Sequence, residues 1–126
     1  MAMILIIDDD GFYRSVIRRI LEDERHDVVE AQDGPEGLAL FRQLGPALVI
    51  TDMRLPGFDG GEVIRALREI DGQAKIIAVS GAPTFYNVDF FDLARQVGAD
   101  AIIRKLDPME RVVVEVSRVL EAPAKV

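Results

Sequence analysis

The 126-residue sequence predicts a doubly wound α/β sandwich with one five-stranded parallel sheet. Two observations carry this. Short apolar runs alternate five times with longer stretches whose apolar residues recur every three or four positions, the period of an amphipathic helix. The runs are apolar nearly throughout rather than at every second residue, as expected of parallel strands covered on both faces. Right-handed crossovers leave few ways to connect such units, and a sheet with helices on both sides is the simplest.

The elements follow in order. Met3 to Ile7 is the first strand and ends at Asp8-Asp9-Asp10-Gly11. Tyr13, Val16, Ile17, Ile20 and Leu21 form the apolar face of the first helix. Asp27 to Gln32, with Val28-Val29, is a short second strand. Asp33-Gly34-Pro35-Glu36 opens the second helix with a capping residue, a first-turn proline and an acidic third residue. Leu38, Phe41 and Leu44 continue that helix until Gly45-Pro46 stops it.

Ala47 to Thr51 is the third strand, and Val63, Ile64, Leu67 and Ile70 mark the third helix. Lys75 to Val79 is the fourth strand, followed by Ser80-Gly81-Ala82-Pro83 and a longer loop. Phe90, Phe91, Ala94 and Val97 give the fourth helix, which ends at Gly98. Ala101 to Ile103 is the fifth strand. Asp107-Pro108-Met109-Glu110 repeats the pattern of cap, proline and acidic residue. The last helix buries Met109, Val112, Val113, Val116, Val119 and Leu120, and Ala122-Pro123-Ala124 begins a short tail.

Composition narrows the function. The net charge of −7 opposes binding to a phosphate backbone, so direct nucleic-acid binding is not expected. No stretch reaches the roughly 18 apolar residues of a membrane span, and the start carries no secretory-signal pattern. Absence of cysteine removes disulfides, thiolate metal sites and thiol catalysis. A cytoplasmic location is the expectation. His26, the single histidine, is expected to be solvent-exposed or to interact with the end of the first helix.

The strand ends hold the chemistry. In a flavodoxin-like strand order, 2-1-3-4-5, the C-terminal loops of strands one, three, four and five converge beside the switch point. They would bring together Asp8, Asp9 and Asp10, then Asp52, Ser80 and Lys105. Carboxylates 4 Å apart repel by about 4 kcal/mol at an effective dielectric near 20, so the cluster must take up protons or a cation. An all-oxygen set without histidine or cysteine suits Mg²⁺ or a similar hard ion such as Mn²⁺. With one nucleophilic aspartate, a fixed lysine and a hydroxyl, the set suits phosphoryl transfer to a carboxylate. Taken singly the residues have plainer roles: Asp10 and Asp59 as cap or turn residues, Ser80 as a local hydrogen bonder, Lys105 as a solvated charge.

The sequence resembles the receiver domain of two-component response regulators over residues 1–121, leaving 122–126 as a tail. The residues that carry the resemblance are Ile6-Ile7-Asp8-Asp9-Asp10, Thr51 to Gly60, Val79-Ser80-Gly81, Gly98-Ala99-Asp100 and Lys105. It implies that Asp52 accepts a phosphoryl group from a sensor histidine kinase or histidine phosphotransfer protein. It implies Mg²⁺ held by Asp9, Asp52 and the backbone carbonyl of Arg54, with Asp8 acting mainly through water. Ser80 and Lys105 would then contact the phosphoryl oxygens. The face of helix four, strand five and helix five would engage a downstream protein or a second copy of the chain.

Three departures from the family pattern stand out. Leu106 replaces the proline that usually follows the lysine, so a trans peptide is expected there. Ile102 replaces the rotating aromatic and is expected to be core, which moves any reporting role to Phe85 or Tyr86. The segment from Ser80 to Gly98 is longer than usual. Two other readings use the same residues. A receiver-fold docking module would no longer signal by phosphate. A haloacid-dehalogenase-type phosphatase would use Asp8 as nucleophile and Asp10 as acid/base, and would leave the Asp52 block unexplained.

Overall fold

In the computed structural model, which describes residues 1–58, 61–81, 84–85 and 88–123, five parallel strands form one sheet between two layers of helices. In chain order the elements are β1 (Met3–Ile7), α1 (Gly11–Asp23), β2 (Asp27–Ala31), α2 (Gly34–Leu44), β3 (Leu48–Asp52) and α3 (Glu62–Ile70). Then come β4 (Ile76–Ser80), β5 (Thr84–Phe85), β6 (Val88–Asp89), α4 (Phe90–Gln96), β7 (Ala101–Arg104) and α5 (Glu110–Glu121). The sheet runs β2-β1-β3-β4-β7, the expected order with β7 as its fifth strand.

Alternation within each strand splits the core in two. Ile4 and Ile6 of β1 face one way and pack with Tyr13, Ile17 and Leu21 of α1 and Val112, Val116 and Val119 of α5. Leu5 and Ile7 face the other way, with Phe41 of α2, Val63, Ile64 and Leu67 of α3 and Ala94 of α4. Each side chain of β3 and β4 is buried, so these central strands cannot present polar groups except where they end.

The helix starts follow local chemistry. Asp10 accepts hydrogen bonds from the amides of Phe12 (3.0 Å) and Tyr13 (3.2 Å), which makes it the cap of α1. Asp33 accepts from the Glu36 amide at 2.8 Å, and Glu36 reaches back to the Gln32 amide at 2.9 Å. Gly45 ends α2 in the left-handed region (φ 57°), where a Cβ would be strained. Arg68 ties α3 to the carbonyls of Ala74 and Gly98 and, at 3.2 Å, to Asp100 Oδ2, which also accepts from the Ile76 amide.

Several expectations need correction. Asp107 does not cap α5: the cap position is Met109, and no side chain bonds there. Its carboxylate instead accepts from the Arg104 amide at 3.1 Å and the Arg111 guanidinium at 3.0 Å, closing the turn that carries Lys105. His26 is half-buried rather than solvent-exposed: its amide donates to the Leu21 carbonyl at the end of α1 (3.0 Å), and its Nδ1 accepts from the Ala2 amide at 3.2 Å. Burial and the neighbouring N-terminal charge hold its pKa below the usual value. Within the long loop after Ser80, β5 and β6 form an antiparallel pair, with Thr84 opposite Asp89 and Phe85 opposite Val88. Leu44 is 40% exposed and Val113 only half-buried. Asp59 and Tyr86 lie outside the described residues, as do the side chains of Phe85 and Phe90.

Candidate functional site

Among the described residues, the buried polar or charged side chains are Asp8, Thr51, Asp52 and Ser80. All four lie at the C-terminal ends of β1, β3 and β4, the edge where ligands collect in open parallel sheets. Asp8 follows β1 directly, whereas Asp52 and Ser80 are the last residues of β3 and β4. Lys105 follows β7 and is fixed by its own amide, which donates to the Ser80 carbonyl at 2.9 Å.

The strands deliver these groups into contact. Lys105 Nζ lies 2.9 Å from Asp8 Oδ2 and 3.0 Å from Asp52 Oδ2, so one ammonium bridges two buried carboxylates. The second oxygen of each carboxylate is held by backbone. Asp10 N donates to Asp8 Oδ1 at 2.9 Å, and Arg54 N donates to Asp52 Oδ1 at 2.9 Å. Asp9 is exposed, yet one of its oxygens lies within 4.8 Å of oxygens from Asp8 and Asp52. The result is an all-oxygen cluster with one member open to solvent, the donor chemistry a hard divalent cation takes. The residues present fit such an ion.

Electrostatics mark the same place. Burial, and then the neighbouring Asp52 charge, push the Asp8 carboxyl up to about 6. Burial alone would lower the Lys105 pKa, but its hydrogen bonds and charge contacts with Asp8 and Asp52 outweigh this and raise it. The lysine is therefore a permanent cation at neutral pH.

The expected site residues separate into two groups. Asp8, Asp9, Asp52 and Lys105 form one cluster, with Ser80 buried at the adjacent strand end. Asp10 does not join them: it is exposed and spends its carboxylate on the cap of α1. That removes the acid/base which a haloacid-dehalogenase-type reaction would require. Arg54 sits in the loop after β3, folded back by a bridge between Leu55 and Phe58 and by Gly57 at φ 78°. The Lys105–Leu106 peptide is trans. Ile102 is half-buried against the α2–α3–α4 side of the core.

Two participants were not evident in the sequence. The Tyr13 ring lies under Lys105, with the ammonium 4.8 Å from its centroid. Burial pushes its phenol up to about 12, so it stays neutral. Arg14 donates to the Asp8 carbonyl while its Nε pairs with Glu30 at 2.9 Å. Helical spacing flagged Tyr13 only as core, and nothing in the sequence flagged Arg14.

Residues 4–117 match the family described as the response regulator receiver domain. The chain belongs to that family. It is a response-regulator receiver domain of the two-component phosphorelay systems, a signalling domain rather than a classical enzyme. The chemotaxis protein CheY of Halobacterium salinarum is 32% identical over 119 residues, which cover 94% of this chain and 97% of that one. The sporulation initiation phosphotransferase F of Bacillus subtilis is 27% identical over 76% of this chain and 75% of its own. The transcriptional regulatory protein AfsQ1 of Streptomyces coelicolor is 39% identical over 56% of this chain, but the match spans only 32% of that protein. Among solved structures, a CheY-like receiver domain protein from Methanospirillum hungatei superposes with a TM-score of 0.87. That receiver is 28% identical, over 96% of this chain and 94% of its own. Among the described residues, no helix is long and apolar enough to cross a membrane.

Proposed function

We propose that Asp52 is the phosphoacceptor of this receiver. The observation that carries this is the state of its carboxylate: nearly buried at a strand end, with Oδ1 held by the Arg54 amide and Oδ2 by Lys105. An oxygen so oriented needs little reorganisation to attack. In the transfer, a carboxylate oxygen of Asp52 forms a bond to phosphorus. The phosphorus–nitrogen bond of a donor phosphohistidine breaks, and its electron pair returns to the imidazole. The donor is a sensor histidine kinase or a histidine phosphotransfer protein.

The remaining residues manage charge. Asp8, Asp9, Asp52 and the Arg54 carbonyl would hold Mg²⁺ or Mn²⁺, which supplies positive charge to the phosphoryl oxygens when bound. Formation of the acyl phosphate takes up the carboxylate oxygen that Lys105 pairs with. The ammonium, already within 3.0 Å of that oxygen, then pairs with a phosphoryl oxygen instead. Ser80, at the end of the neighbouring strand, donates its hydroxyl to another. The output face is α4, β7 and α5, where the Arg104 guanidinium stacks 4.9 Å from the Phe91 ring. A downstream protein, or a second copy of the chain, docks there. The receiver unit is taken as residues 1–121, with 122–126 as a tail, and the protein acts in the cytoplasm.

Incubation with acetyl phosphate and Mg²⁺, followed by mapping of the modified peptide, tests the assignment. Label on Asp52 that vanishes in Asp52→Ala supports it. A wild-type chain that takes no label would leave the docking-module reading standing.

A further inference from the structure

Lys105 has to hold a flexible four-carbon stem in one place, and its own loop does only part of this. The backbone end is fixed, because the Lys105 amide donates to the Ser80 carbonyl and Asp107 closes the turn through the Arg104 amide. Leu106, the next residue, is 92% exposed. At the other end, the two carboxylates attract the ammonium from one side. The Tyr13 ring lies within 4.8 Å of the same nitrogen.

Tyr13 is placed there by α1 itself. Asp10 accepts its amide proton, which fixes the first turn, and Tyr13, Ile17 and Leu21 then share the inward face. The ring is 7% exposed and neutral. Its π-face attracts an ammonium electrostatically, more strongly where water is excluded. Unlike Asp8 and Asp52, Tyr13 offers no carboxylate to a divalent cation. Its contact with the lysine does not depend on the charge of the Asp52 carboxylate.

We infer that Tyr13 is a positioning residue for Lys105: its ring holds the ammonium where the phosphoryl oxygens arrive, and so sets the rate of acyl-phosphate formation. This rests on the reading of Asp52 as phosphoacceptor. As the partner of Lys105 changes from the Asp52 carboxylate to a phosphoryl oxygen, the aromatic face is a fixed contact beside the Asp8 carboxylate.

The test compares Tyr13→Leu with Tyr13→Phe in the full chain, each with and without Lys105→Met. Labelling by acetyl phosphate is timed at saturating Mg²⁺, and Mn²⁺ affinity is measured separately. Tyr13→Leu should slow labelling about three- to tenfold, the range for a partly desolvated cation–π contact, with little change in Mn²⁺ affinity. Tyr13→Phe should label like wild type, and Tyr13→Leu should cost nothing more once Lys105 is methionine. Wild-type speed in Tyr13→Leu overturns the inference, as does equal slowing in Tyr13→Phe or a loss that persists without Lys105. Should Tyr13→Leu fail to fold, Tyr13→Met removes the ring with an unbranched side chain and is judged by the same outcomes. Ile17→Val, on the same helix face, should lower the melting temperature without slowing labelling. If wild type labels elsewhere than Asp52, the reading beneath the inference fails, and that result is distinct from these.

Discussion

Lys105 Nζ stands 3.0 Å from Asp52 Oδ2, closing a contact between the last residue of β3 and the first residue beyond β7. The same nitrogen is 2.9 Å from Asp8 Oδ2, so the lysine is the counter-charge for both buried carboxylates. Replacing it by methionine keeps the bulk and leaves the two anions facing each other. Without divalent cation, Lys105→Met should therefore be less stable than wild type, on the order of 2 kcal/mol, because breaking a buried pair exposes the penalty of the remaining charges. Mg²⁺ should recover more melting temperature in the variant than in wild type. Calorimetry with and without Mg²⁺ checks both, and an unchanged melting temperature would show that Lys105 does not neutralise the cluster.

Asp8 makes stability pH-dependent in a direction opposite to that of most carboxylates. Its folded pKa, about 6, lies above the ordinary 3.8. Below 3.8 both states carry the proton and no penalty arises. As pH rises from about 4 to about 6 the unfolded chain loses that proton first, so this group's contribution to stability falls and is lost above the folded value. Other carboxylates titrate in the same window, so the comparison is with Asp8→Asn. The melting temperature of wild type minus that of the variant should decline across pH 4 to 6, and Mg²⁺ should flatten the decline by favouring the ionised form. A difference that stays constant with pH would contradict the account.

Gly34 and Phe58 set the loop after Asp52. A Cβ at residue 34 would lie 2.5 Å from Phe58 Cε2 and 2.7 Å from its Cδ2, too close for a stiff ring to absorb without moving. Gly34→Ala should cost roughly 1–3 kcal/mol as an overpacked site, and Phe58→Leu in the same chain should restore part of it. Denaturant unfolding of the two single variants and the double variant reads this directly. Additive losses would mean that the two residues do not meet.

What the sequence revealed depended on whether a feature was written in pattern or in packing. The sheet and its order were legible because strands covered on both faces must be apolar until they end, as the fully buried β3 and β4 are up to Thr51-Asp52 and Ser80. The site was legible for the same reason turned around. A carboxylate at Asp52, or a hydroxyl at Ser80, is conspicuous where such a run ends. Asp107 misled because a residue before proline and an acidic third position matches a cap, while its partner is the Arg104 amide at the end of β7. The β5–β6 pair has two residues per strand, too few for any period to show. Tyr13 is doubly employed: its spacing with Ile17 and Leu21 declares a core position, and only the approach of Lys105 from β7 adds the second role.

The account turns on which carboxylate receives the phosphoryl group. Acetyl phosphate labelling, with the acyl phosphate trapped by borohydride reduction and the reduced residue located by peptide mass spectrometry, decides it. The account predicts modification at Asp52 alone, dependent on Mg²⁺ and slowed in Lys105→Met. Modification at Asp8, or undiminished labelling of Asp52→Ala, would contradict it.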